Sequence, residues 1–333
     1  MKHDTPFPSG ENRITRLFGC PYPLVQGGMA WVADAELAAA VSNGGGLGVI
    51  AASNMPPELL EEQLLKVRKL TDKPFGLNIM LLSPTVDDVI ALAAKHRVPI
   101  VTTGAGSPGK VIDQLKPLGT VIVPVIASVA QARRVEKQGA DAVVAEGMEA
   151  GGHIGELTTM VMIPQVADSV KIPVIAAGGI ADGRGVAAAF ALGAEGVQVG
   201  TRFICCEEST VHPAYKQAVL EARDRSNAVT GRSTGHPVRC LKNKLTGKFE
   251  ELEKQNATVE EIERLGAGRL RAAVVNGDVE WGSLMAGQSA GLVKEILPAA
   301  VIISEMFASA CRISRELAEM PFSYCPAEEI GSE

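Results

Sequence analysis

The chain has 333 residues, more than one ordinary domain but normal for an α/β barrel with an appendage. Hydrophobic residues make up 46% and charged ones 21%, which favours a large buried core over disorder, and the net charge of −6 argues against nucleic acid as the main partner. Aromatics are only 4%, so the core must be aliphatic, as it is where strands are covered on both faces.

From residue 22 to about 204, short apolar runs alternate with longer amphipathic ones. The candidate strands are 24–27, 47–50, 75–80, 100–102, 121–125, 142–145, 174–176 and 196–199. Helical stretches such as 33–43, 57–70, 84–96, 128–139 and 183–193 lie between them. Eight strands separated in this way predict a closed (β/α)8 TIM barrel over residues 12–204. An open doubly wound sheet fits less well, because it usually has fewer strands and an early GxGxxG turn. The phrases 138-QGADAVVAEG-147 and 192-LGAEGVQVGTRF-203 repeat one unit: a helix end, a glycine for the left-handed cap, an acidic residue and an apolar strand.

After about residue 204 the rhythm changes. The stretch 224–255 is polar, basic and turn-rich, and helical segments are expected at 258–274, 283–297 and 299–320. Residues 205–320 are expected to form a smaller C-terminal domain over the barrel mouth, with 321–333 as a tail. The six cysteines show no CxxC pair and no metal-ligand spacing, which suits reduced thiols in a cytoplasmic protein. No signal sequence and no apolar run long enough to span a bilayer is evident.

Glycine-rich patches are expected at the carboxyl ends of the strands: 26-QGGMA-30, 44-GGGLG-48, 150-AGGHIG-155 and 177-AGGIADG-183, followed by 200-GTRF-203. In a barrel these ends build the active site, and glycines there let backbone N–H groups approach an anion. The last two patches follow strands seven and eight, the usual phosphate position, although each glycine alone could be a turn residue. No Walker A sequence is present and no patch completes GxGxxG.

His153 stands just past strand six among glycines, where it has little side-chain packing and could exchange a proton or present an N–H to a carbonyl oxygen. His3, His96, His212 and His236 read as solvated residues. Glu146 and Glu149 flank His153 and could orient it, bind the hydroxyls of a sugar-like ligand chain, or be exposed loop carboxylates. Asn78 lies within the apolar strand 75-FGLNIML-81, where its amide needs a partner, either a ligand or the backbone; Gln26 invites the same comparison.

The ordered series QGGMAWVA, GGGLGVI, FGLNIML, AEGMEAGGHIG, PVIAAGGIADG and GAEGVQVGTRF resembles the nitronate monooxygenase superfamily, with similarity from about residue 12 to 318. Within it, 146-EGMEAGGHIGELTTM-160 and 282-GSLMAGQSAG-291 resemble the flavin-dependent enoyl-acyl-carrier-protein reductase of bacterial fatty-acid synthesis, the FabK type. That resemblance implies non-covalent FMN, NADH or NADPH as co-substrate, a monovalent cation as a candidate further requirement, and a homodimer. It implies Gly27, Gly28 and Met29 lining the flavin, Asn78 on its pyrimidine side, and Glu146 and the catalytic His153 flanking it. Gly178, Gly179, Gly200 and Thr201 would hold the phosphate, and Met285, Gly287 and Gln288 would close over the ring. A nitronate monooxygenase using dioxygen is the alternative of the same fold. The substrate partner would be an acyl carrier protein bearing an enoyl thioester. Such carriers are acidic, and Arg225, Arg232, Arg239, Lys242, Lys244 and Lys248 could steer one, or be a solvated loop.

Overall fold

The computed structural model describes residues 12–53 and 55–320; the expected tail from Pro321 lies outside them, as does Cys325. All eight expected strands form: β1 (Leu24–Gln26), β2 (Gly48–Ala51), β3 (Phe75–Met80), β4 (Ile100–Gly104), β5 (Val121–Ile126), β6 (Val143–Glu146), β8 (Val174–Ala177) and β9 (Gly196–Val199), with β7 (Gly152–His153) standing outside the barrel. They pair in parallel in the order β1-β9-β8-β6-β5-β4-β3-β2. The circle closes where Val25 bridges Leu47, and the Gln26 N–H donates to the Leu47 carbonyl at 2.9 Å. The result is the TIM barrel that the alternation of strand and helix predicts.

Period-two alternation explains the two sides of each strand. Val25, Val49, Ile100, Val123, Val144 and Ile175 share one cluster with Ile14 and Phe18 of α1 (Arg13–Phe18), which plugs the barrel floor. Their neighbours Leu24, Val143, Val174 and Val197 face one helical layer, and Ile50, Val101 and Ile122 face another. The surrounding helices are α2 (Ala35–Asn43), α3 (Pro57–Leu70), α4 (Val86–Lys95), α5 (Gly109–Leu115), α6 (Val129–Gln138), α7 (Thr159–Ala167) and α8 (Gly183–Ala191). Gly139 ends α6 at φ +98° and Gly193 follows α8 at φ +94°, the left-handed positions the repeated phrase requires.

Beyond α9 (Thr201–Ile204) and α10 (Pro213–Leu220), β10 (Asn227–Thr230) and β11 (Val238–Leu241) pair antiparallel, and β11 then takes β7 as its other neighbour. The lid sheet is therefore centred on β11 and completed at one edge by a strand borrowed from a barrel loop. Three short helices cover it: α11 (Lys244–Lys254), α12 (Val259–Gly266) and α13 (Arg269–Asn276).

Three expectations are corrected. The segment 258–274 is not one helix, because Gly268 at φ +73° starts α13 on a new axis. Residues 283–297 do not form a helix; only a short 3-10 turn, Gln288–Leu292, appears, because the backbone before it is committed to partners outside the segment. The patch 44–48 precedes β2 and so lies at the amino end of the barrel, where it serves packing. A Cβ on Gly44 would come within 2.9 Å of Ala300 Cα, and one on Gly183 within 2.6 Å of the Met306 carbonyl. Both residues admit α14 (Ala299–Glu319), which falls inside the expected smaller unit yet packs between α2 and α8 in the barrel's outer layer. Among the described residues no helix is long and apolar enough to cross a membrane.

Two glycine substitutions test this packing in opposite directions. A Cβ at Gly48 would lie 1.8 Å from the Ala38 carbonyl, so Gly48→Ala should cost about 2–4 kcal/mol by forcing β2 off α2. Gly247, inside exposed α11 with nothing within 4 Å of its Cβ position, should gain about 0.5–1 kcal/mol as Gly247→Ala. Urea unfolding monitored by circular dichroism reads both; equal effects would discount the close approach at Gly48.

Candidate active site

Going up the barrel interior, the inward row turns polar. Two residues above Gly76, Ile100, Val144 and Gly196 come Asn78, Thr102, Glu146 and Gln198, on β3, β4, β6 and β9. The register sets Asn78 beside Thr102, and Glu146 and Gln198 on either side of Ala177. Asn78 Nδ2 donates to Thr102 Oγ1 at 2.9 Å. Above this layer opens a cavity of about 1140 Å³ bounded by the barrel mouth and the lid. Gln26, by contrast, points away from it; its Oε1 accepts the Val49 N–H at 3.1 Å, making it a core amide satisfied by backbone.

The glycines of the mouth are shaped by close approach. A Cβ on Gly28 would lie 2.4 Å from the Asn78 side chain, so the QGGM loop lies flush against that amide. Gly178 and Gly179 both take positive φ, +96° and +77°, and a Cβ on Gly178 would meet the Gly147 carbonyl at 2.6 Å. The backbone N–H groups of Gly179, Gly200 and Thr201 have no protein acceptor among the described residues, and all three residues line the cavity. Thr201 Oγ1 accepts the Gly287 N–H at 2.9 Å, leaving its own proton to donate.

Glu146 has no basic neighbour, and burial pushes its carboxyl up to about 7. A substantial share of it is thus carboxylic acid at neutral pH, able to donate as well as accept. Glu149 works differently. Its carboxylate accepts the Thr159 N–H and hydroxyl at 2.9–3.0 Å, capping α7, so its duty is structural. His153 is not on a free glycine loop: it is half of β7, opposite Val238, and the Ile154 N–H donates to the Pro237 carbonyl at 3.1 Å. Its ring looks into the cavity, enclosed by the walls yet open to the space between them. Burial, and the proximity of His236, push its pKa down, so the neutral imidazole is favoured.

Of the residues singled out from sequence, Gly27, Gly28, Met29, Asn78, Glu146, His153, Gly178, Gly179, Gly200, Thr201 and Met285 line this one cavity. Gly287 is buried beside it, held to Thr201, while Gln288 is exposed with its N–H on the Glu149 carbonyl. The basic face is largely dismantled. Arg239 is buried, its guanidinium on the Met148 carbonyl at 3.0 Å; Lys244 pairs with Glu280 and Lys248 with Glu251. Arg225, Arg232 and Lys242 remain exposed. Two cavity residues were missed. Gln198 could have been found from the period-two row, as its neighbours in β9 are apolar. His236 reads as a solvated loop residue, and only the β7–β11 pairing brings it beside His153.

A family model described as nitronate monooxygenase matches residues 11–94 and 85–309. The solved structure of FabK from Thermotoga maritima superposes with a TM-score of 0.91 at 50% identity, covering 93% of this chain and 99% of that one. A Mycobacterium tuberculosis protein named (3aS,4S,5R,7aS)-5-hydroxy-7a-methyl-1-oxo-octahydro-1H-indene-4-carboxyl-CoA dehydrogenase is 35% identical, over 85% of this chain and 91% of its own length. A probable nitronate monooxygenase of Staphylococcus saprophyticus is 34% identical, over 87% and 95%. The chain belongs to the nitronate monooxygenase family of oxidoreductases and, within it, stands with the FabK type.

Proposed function

We propose that the chain is an FMN enzyme that reduces trans-2-enoyl thioesters of acyl carrier protein with NADH or NADPH, the last reductive step of type II fatty-acid elongation. The observation that carries this reading is the 50% identity to FabK over nearly the whole chain, well above the 34% shared with the probable nitronate monooxygenase. The Mycobacterium relative, named for a carboxyl-CoA compound, also favours a thioester in this mouth. The runner-up is nitronate oxidation with dioxygen, favoured by the family model and the Staphylococcus relative.

The residues present fit FMN. Free N–H groups on Gly179, Gly200 and Thr201, with the Thr201 hydroxyl, suit a phosphate at the position usual for barrels. The polar layer of Asn78, Glu146 and Gln198 suits a ring edge and sugar-like hydroxyls, and the glycine wall at Gly27 and Gly28 leaves room for a flat ring. Bound FMN would supply two-electron transfer between the nicotinamide and the enoyl thioester. The chain's own part is positional and electrostatic. His153, held neutral, offers a ring N–H to the thioester oxygen, where negative charge develops as Cβ takes a hydride. Its backbone pairing with Val238 fixes the ring's origin, so the hydrogen bond needs little reorganisation.

Acid-precipitated holoprotein should release FMN, and NADH should be consumed anaerobically with crotonyl-CoA. A nitronate-dependent oxygen uptake without enoyl-dependent NADH oxidation would favour the runner-up. His153→Ala should retain FMN and lose about 10²- to 10⁴-fold in the enoyl half-reaction, with a smaller effect on the half-reaction with NADH. Stopped-flow measurement separates the two; an unchanged enoyl half-reaction would remove His153 from catalysis.

Glu146 gives a pH signature in the flavin-free protein. Its folded pKa of about 7 lies above the usual carboxylate value, so the folded state holds a proton that the unfolded state releases. The stabilisation is fully present below about 4.5 and is lost as pH rises through about 7, amounting to roughly 1–3 kcal/mol. Glu146→Gln should flatten that part of the stability curve, as read by urea midpoints at pH 5 and 8.

A further inference from the structure

The cavity does not end at the barrel mouth. It continues under the lid, where its walls are Leu245 and Phe249 of α11, Ile262 of α12 and Leu270 of α13. At about 1140 Å³ the whole space exceeds the ~300–1,000 Å³ of a typical single-ligand pocket, leaving room beyond a cofactor. Several of the polar side chains near this lobe are engaged with the protein, and Glu263 of α12 is exposed. Thr246 Oγ1 donates to the Asn243 carbonyl at 2.9 Å, Tyr215 Oη donates to the Met285 carbonyl at 2.8 Å, and Cys240 Sγ lies 3.3 Å from Ser283 Oγ. The walls contributed by α11, α12 and α13 at this end are then mainly the hydrocarbon of Leu245, Phe249, Ile262 and Leu270.

Such walls gain packing contacts when hydrocarbon lies against them. The cover of the lobe is slight: α12 buries only Ile262, whose side chain itself faces the cavity. Phe249 meets the end of that helix. A Cβ on Gly266 would lie 3.4 Å from Phe249 Cζ, an ordinary contact distance, so the tip of the ring stands against the end of α12 and links the two helices.

We propose that this lobe, between α11, α12 and α13, is the binding site of a linear aliphatic acyl chain, with Phe249 seated on Gly266 as the stop that limits its length. The inference rests on the thioester reading above, which places the polar end of the same ligand at His153. The hydrocarbon then runs away from the mouth into the only wall of the cavity built from helices of the lid, among the described residues.

The test is binding, by calorimetry, of saturated acyl-CoA thioesters from butyryl to palmitoyl to the flavin-loaded full chain, which needs no turnover. Affinity should rise about two- to fourfold per added methylene and then level off. Phe249→Ala should move the levelling point to longer chains, and Leu270→Trp to shorter ones; Phe249→Leu serves if the alanine variant melts early. Affinity indifferent to chain length, or a levelling point unmoved in variants with wild-type melting, overturns the proposal. Crotonyl-CoA reduction is measured in parallel. Length-dependent binding without any NADH oxidation would uphold the acyl lobe and remove the reductase reading, whereas reduction with flat binding would do the reverse.

Discussion

Residues 284–288 lie backbone to backbone against residues 149–151, and the site depends on that contact. A Cβ on Gly151 would fall 2.6 Å from the Ala286 carbonyl carbon, and one on Gly287 2.6 Å from the Glu149 carbonyl, so glycine on both sides is a steric condition. The strap is then tied at every residue. Leu284 O accepts from the Leu241 N–H, Met285 O from Tyr215, Ala286 O from Asn227 Nδ2, while the Gly287 and Gln288 N–H groups donate to Thr201 and Glu149. Buried backbone groups must be paired, and here the first three pairings hold the strap within the lid while those to Thr201 and Glu149 join it to the barrel.

The same stitching holds the glycine loop before His153. Arg239, though buried, keeps its charge by giving two hydrogen bonds to the Met148 carbonyl, and Glu149 turns from the cavity to cap α7. With those charges occupied elsewhere, Glu146 and His153 are the acid and base of the mouth whose ionisation burial shifts. Desolvation acts on Glu146 and His153 in opposite directions, raising the acid and lowering the base, so both favour their neutral forms. A site of neutral donors suits a reaction in which charge appears on the substrate only in passing.

The lid contributes differently. Its sheet is completed by β7 from a barrel loop, so the lid and His153 are one structural unit. Its helices, however, bury few residues around the apolar lobe, in contrast to the densely hydrogen-bonded polar mouth.

The eight strands were legible because a parallel barrel strand is an apolar run of period two between helices, a property of a few adjacent residues. The glycines around the mouth were legible for the same reason, since a tight turn after a strand needs them locally. The patch 44–48 shows the limit: glycine also permits helix packing, and only the strand's direction says which end it occupies. Asn78 stood out as an amide in an apolar strand, yet that it shares a layer with Thr102, Glu146 and Gln198 follows from the inter-strand register, which no single strand encodes. His153 was visible as a residue and misjudged as a loop, because its partner Val238 lies far along the chain. Residues 283–297 carry helical composition but become a strap, since hydrogen bonds to Leu241, Thr201 and Glu149 replace those a helix would make. The sequence by itself determined the barrel, its turns and the residue types at its mouth, all of them local patterns. The tertiary structure alone decided which side chains meet, because hydrogen-bond pairing and close packing between distant segments are satisfied only when the whole chain is in place.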